Sequence, residues 1–160
     1  MLTAAAACVA AVIDLRTRRV PNWLTGAMAV CGVATAAAGI GHVGFIASLA
    51  GLGLGVALML PGHVLGGTGA GDVKLLGAAG AALGPAATLK AFVIAVLAGG
   101  VMALMVAFQR GRLRRTLATT ARLVGGQAVT TEIEDPRADN RFAYAPAIAI
   151  GVVLAVLQLN

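Results

Sequence analysis

The chain has 160 residues, 59% of them apolar and 11% charged, with 12 Lys and Arg against 6 Asp and Glu for a net charge of +6. Long runs of Ala, Leu, Val, Ile and Gly, almost free of charge, recur along its whole length, which excludes an ordinary water-soluble globule and describes an integral membrane protein. No aromatic-interleaved basic groove accompanies the positive balance, so it reports membrane topology and contact with anionic lipid rather than nucleic-acid binding.

A spanning helix needs about 20 mostly apolar residues to cross about 30 Å of hydrocarbon. The first apolar run, residues 1–13, is expected to continue helically to Arg19 and to stop before Pro21, because the residue before a proline avoids the α region. It carries no small-residue cleavage signature ahead of a soluble domain, and further apolar helices follow, so it reads as a somewhat short span rather than a removable signal. The second run covers residues 23–40, with Trp23 where an aromatic ring sits at headgroup level. The third, residues 43–60, holds Gly51, Gly53 and Gly55 at spacings that let helix backbones approach closely in lipid, and Pro61-Gly62 closes it. After a glycine-rich connection, a short apolar helix is expected over residues 73–83, ended by Gly84-Pro85, then a longer one over 87–108 and a last span over 142–159.

The predicted fold is therefore all-α and polytopic, with about six transmembrane helices in a single domain, residues 1–160. Between the last two spans lies a basic segment, residues 109–141, holding Arg110, Arg112, Arg114, Arg115 and Arg122 before Glu132, Glu134 and Asp135. Within it Leu113, Leu117, Ala121 and Val124 recur at helical spacing, which predicts an amphipathic helix lying on the membrane, either as an interfacial connector or as a docking element for a substrate. With the N-terminus outside, Arg16, Arg18, Arg19, Lys74 and the arginine cluster share one face and only Lys90 lies opposite. By the positive-inside rule that face is cytoplasmic, and the chain is a multi-pass protein of the inner membrane.

Against this background two carboxylates stand out, Asp14 and Asp72, both placed by the charge count at the cytoplasmic membrane boundary; the other four acidic residues crowd near the C-terminus. An ionisable residue at the edge of a lipid-buried helix is expensive and marks a functional site by default. Gly66, Gly67, Gly69 and Gly71 precede Asp72 and permit backbone geometries that other residues resist, giving a flexible or closely approached loop. Irregular backbone at membrane depth is tolerated only where protein or water covers it. Asp72 also opens the next helix, so a plain capping role stands beside the functional one.

The segment Gly69-Ala70-Gly71-Asp72-Val73-Lys74 resembles the GxGD motif of intramembrane-type aspartic proteases, in the GxGDxK form of the prepilin peptidases, or type IV leader peptidases. Asp14 with Arg16, Arg18, Val20, Pro21 and Asn22 is similar to the first catalytic aspartate of that family and its surroundings. Tyr144-Ala145-Pro146-Ala147 with Gly151 resembles the closing helix, although Ala143 stands where a proline often begins that motif. The resemblance implies an aspartic endopeptidase that removes prepilin leader peptides at the cytoplasmic membrane face. Its catalytic pair would be Asp14 and Asp72, its active-site loop would include Gly69 and Gly71, and its partners would be a prepilin or pseudopilin and the bilayer. The short length is similar to the minimal members of tight-adherence or small-pilin systems. The soluble four-cysteine region of the longer enzymes is missing, so peptidase activity without methylation of the new N-terminus is expected.

In that reading the two carboxylates share one proton around a water, because like charges held close cannot both ionise easily. Lys74 is either an interfacial, snorkelling lysine or a residue that attracts an acidic group of the substrate near the cleavage point. His42 and His63 read as turn and loop residues without a metal-ligand partner, and Cys8 and Cys31 as small buried hydrophobes, so no metal and no cofactor are expected. The rival from another class is a small proton-coupled transporter or channel subunit relaying protons through the same aspartates.

Overall fold

The computed structural model describes residues 1–17, 19–40, 42–109 and 144–158. Among them every helix or strand assigned is an α-helix: α1 (Leu2–Thr17), α2 (Asn22–Ala37), α3 (Phe45–Val64), α4 (Ala70–Gln109) and α5 (Ala145–Leu157). Residues 1–99 and 141–160 form one compact unit, and residues 100–140 a second whose described part is the end of α4. The basic segment with its expected amphipathic helix lies, from Arg110 on, outside the described residues, as does Arg18.

The breaks between helices follow from local chemistry. Pro21, with φ −64° and ψ 131°, is the extended residue from which α2 starts. At the other end of that connection the Thr17 hydroxyl donates to the Ile13 carbonyl at 2.9 Å in the last turn of α1. Pro61 does not close α3 as expected from the sequence. A proline lacks a donor but keeps its carbonyl, and the Leu65 N–H bonds it at 3.0 Å, so the helix runs on to Val64. It ends at Gly66, whose φ of 77° is the left-handed turn that favours glycine. There the Gly66 N–H reaches the His63 carbonyl at 3.0 Å and the Gly67 N–H reaches Gly62 at 2.9 Å. Of the two forms expected for the glycine-rich connection, the structure shows the closely approached one.

The expected break at Gly84-Pro85 is present as a kink rather than a gap. Gly84, at φ 72° and ψ 172°, interrupts α4 and leaves helix on both sides. At 1.5 Å per residue the 40 residues of α4 would run about 60 Å if straight, twice the thickness of a hydrocarbon core. The kink divides that length.

The segment of α4 before the kink is the centre of the first unit. Leu75, Leu76, Ala79 and Ala81 are fully buried in it, as are Ile148 and Val152 of α5. Glycines set the spacing around it. The backbones of Gly51 in α3 and Gly80 in α4 meet so closely that a Cβ on either would strike the other's carbonyl, and a Cβ on Gly55 would come 2.6 Å from the Leu76 oxygen. Gly53, by contrast, faces open space. A buried Ser48 hydroxyl donates to the Ala81 carbonyl at 2.6 Å across the same interface, as small polar residues do between helices in lipid.

Two helices are long and apolar enough to cross a membrane, Phe45–Val64 with 20 residues and Ala70–Met105 with 36. Helices α1 and α2, of 16 residues each, and α5, of 13, fall short of that length. Only 22% of each long apolar window is buried. Ile46, Leu49, Val93, Leu97 and Leu104 all point outward, a surface that suits hydrocarbon and not water.

Candidate active site

Asp14 lies in the last turns of α1. It continues a stripe with Ala7, Ala10 and Ala11, the i, i+3, i+4, i+7 positions that make one helix face, and all four residues are buried. That stripe packs on α5, and the N–H of Ala145 in the first turn of α5 donates to the Asp14 carboxyl. An N-terminal N–H has no partner inside its own helix, and the positive end of the helix dipole favours an anion there. Asp14 is 6% exposed, and its Oδ2 has no hydrogen-bond partner among the described residues.

Asp72 is held by its own helix. Gly69 caps α4, and Asp72, three residues on, turns its Oδ2 back to the Gly69 N–H at 3.1 Å, while the Asp72 and Val73 N–H groups bond the Gly69 carbonyl. The capping role considered from the sequence is therefore real. It occupies one oxygen of a carboxyl that is 5% exposed. The two aspartates, separated in sequence by α2 and α3, are both buried in the folded chain.

The glycines of the loop divide by purpose. Gly71 lies against Val20, where a Cβ would come 3.0 Å from that residue's Cβ. Gly69 lies over the carboxylate, where a Cβ would come 3.3 Å from Asp72 Oδ2. Gly71, expected in the loop, lies instead in the first turn of α4, because the helix starts at Ala70 from the Gly69 cap, and of the four glycines only Gly66 has a positive φ. His63 braces the loop from α3, donating from Nδ1 to the Thr68 carbonyl at 3.0 Å, and the ring is exposed.

Lys74, two residues beyond Asp72, is exposed and directs its ammonium to Asn22 Oδ1 at 3.0 Å. Both residues border an apolar groove of about 440 Å³ between α2, α3 and α4, floored by Gly26, Ala29, Gly77 and Ala78. Sequence reasoning did not pair Asn22 with Lys74, nor did it assign Ala145 a role at Asp14. The stripe of Ala7, Ala10, Ala11 and Asp14 was the available signal that the Asp14 carboxyl points into the packed side of α1. His42 lies exposed in a turn, and Cys8 and Cys31 are exposed free thiols, not the buried ones expected, because the α1 and α2 faces that carry them point outward. No group of three or more His, Cys, Asp or Glu able to hold a metal occurs among the described residues.

Among the described residues the chain is an all-helical apolar protein with two buried carboxyls, Asp14 against the first turn of α5 and Asp72 in the first turn of α4. Residues 1–104, which include both aspartates, match the type IV leader peptidase family, and the chain belongs to it. It is accordingly a membrane-associated protease of the prepilin peptidase kind, with prepilins as substrates. Tyr144 and α5 lie beyond the matched residues. Neither a curated protein nor a solved structure matches the chain significantly.

Proposed function

We propose that the chain is an aspartic endopeptidase that removes the leader from small, Flp-type prepilins at the cytoplasmic face of the inner membrane, with Asp14 and Asp72 as a water-activating dyad. One observation supports this reading: the two carboxyl groups inside the family match, Asp14 and Asp72, are both buried in an apolar helical chain. Two carboxylates so placed hold one proton between them. The ionised member takes a proton from water as the oxygen attacks the scissile carbonyl. The protonated member hydrogen-bonds the carbonyl oxygen and then protonates the departing nitrogen. The proton balance belongs to the pair rather than to either residue.

Gly69 and Gly71 serve this chemistry by close approach, the first to the carboxylate and the second to the segment leaving Asp14. The cytoplasmic orientation and a multi-pass topology of about six spans rest on the charge distribution, with Arg16, Arg19 and Lys74 near the two aspartates in sequence and Lys90 beyond the kink. No observation favours the proton-coupled transporter.

The test is processing of a co-expressed small prepilin by the wild-type chain and by Asp14→Asn and Asp72→Asn, each checked for membrane accumulation. Loss of processing in both variants at normal protein levels is the expected result. Full processing by either one rules out the dyad.

A further inference from the structure

The segment that leaves Asp14 and the helix that leaves Asp72 touch at two places outside the carboxylates. At the first, Val20 packs on Gly71 with no room for a side chain between them. At the second, the Lys74 ammonium donates to Asn22 Oδ1 at 3.0 Å across 52 residues of chain. Pro21 sits between these contacts on the first segment with its φ fixed by the ring, and Asp72 and Val73 sit between them on the second. Each contact therefore joins the same two short stretches, and each lies within two residues of Pro21 or Asp72.

We propose that Asn22 and Lys74 are positioning residues, whose hydrogen bond closes a clasp between the Asp14 segment and the Asp72 helix and so keeps the two carboxylates in register. The inference rests on the dyad reading. Its physical basis is that the carboxylates do not hold themselves together: Asp14 is anchored to α5 and Asp72 to its own Gly69. Neither anchor ties one aspartate to the other, and their charges repel when both are ionised. The clasp supplies that tie with an ammonium, which carries three donors, on an amide oxygen. Lys74 follows Asp72 by two residues in a helix, so its stem leaves on a different face and its ammonium reaches Asn22 rather than the carboxylates.

A positioning role differs from substrate contact in what it changes. Loosening the clasp leaves the substrate's binding surfaces in place but misaligns the reacting groups, and displacement on the order of 1 Å lowers turnover by up to about 100-fold. The experiment measures kcat and KM for prepilin cleavage by the full chain in liposomes for Lys74→Met, Asn22→Leu, the double variant, Lys74→Arg and Asn22→Asp. The expected result is a fall in kcat of about tenfold or more for each of the first two at unchanged KM. No further fall is expected in the double variant, because both changes open one contact. Lys74→Arg and Asn22→Asp keep a donor on an acceptor and should restore most of the rate. A KM rise with kcat preserved for Lys74→Met would instead place that ammonium on the substrate, and additive losses would show two independent roles; either overturns the clasp.

A second readout needs no catalysis and so separates this inference from the dyad. In a Cys8→Ala, Cys31→Ala background, Asp14→Cys and Asp72→Cys are joined by a short bifunctional thiol reagent in membranes. Cross-linking slowed several-fold by Lys74→Met supports the clasp even if the aspartates prove not to be catalytic. An unchanged cross-linking rate overturns it even if they are.

Discussion

The two aspartates are both buried and are held in place by opposite routes. Asp72 depends on its neighbours in sequence: three residues into α4, it reaches back to the cap of its own helix, so a stretch of four residues determines the arrangement. Asp14 depends on the fold: it leaves the last turns of α1 and meets the first turn of α5, almost the whole chain away. A local site tolerates disturbance elsewhere and fails when its own residues change. A remote site fails whenever the helices that frame it move.

The sharpest way to test that contrast is to remove each carboxyl entirely. Asp14→Ala and Asp72→Ala both end processing, by about 10²-fold or more given what a general acid or base contributes. They should separate in stability. Asp72→Ala loses a helix cap and is destabilised by about 1 kcal/mol. Asp14→Ala removes a buried carboxyl but leaves the buried Ala145 N–H at the start of α5 without its acceptor, so it should cost more, about 1–3 kcal/mol, and loosen α5. Equal losses in the two variants would mean that Asp14 depends on α5 no more than Asp72 depends on its own cap, and that the contrast is wrong.

Glycine substitutions probe the same difference with smaller effects. A Cβ at Gly151 would run into the Ala91 carbonyl, forcing α5 away from α4 and carrying the Ala145 N–H with it. Gly151→Ala should therefore destabilise the chain by about 1–3 kcal/mol and lower processing, although the residue lies far from either carboxyl in sequence. Gly69→Ala adds a methyl 3.3 Å from Asp72 Oδ2, which a shift of a few tenths of an ångström relieves. It should cost about 1 kcal/mol or less and leave measurable activity. Thermal unfolding and a prepilin processing assay read both variants, and a milder phenotype for Gly151→Ala than for Gly69→Ala would reverse the ranking.

What the sequence made legible follows the same line. The stop before Pro21 and the break at Gly84-Pro85 are short-range features, since glycine and proline act on their own backbone, and both are present in the structure. Pro61 misled because its position in a helix matters more than its identity: near the C-terminal end it removes one donor and leaves the last carbonyls usable. The Asn22–Lys74 bond and the Ala145 donor were not legible, because each pairs residues whose proximity exists only after four or five helices have packed. The family match spans 1–104 and ends before α5, so the helix that anchors Asp14 is the part that similarity does not reach.

The smallest expected effect lies in the loop that feeds Asp72. Thr68 has a buried hydroxyl with no hydrogen-bond partner among the described residues, although its N–H and carbonyl are both engaged, the one with Gly62 and the other with His63. The loop is thus held by its backbone, and the side chain lies over Gly62, where an added Cβ would come 3.2–3.3 Å from it. Thr68→Val keeps that shape and removes an unsatisfied polar atom, so stability should rise slightly, by less than about 1 kcal/mol, with processing unchanged. If processing falls while the unfolding midpoint holds, the hydroxyl meets the substrate or its water, and the Asp72 side of the centre extends beyond its carboxylate into the loop.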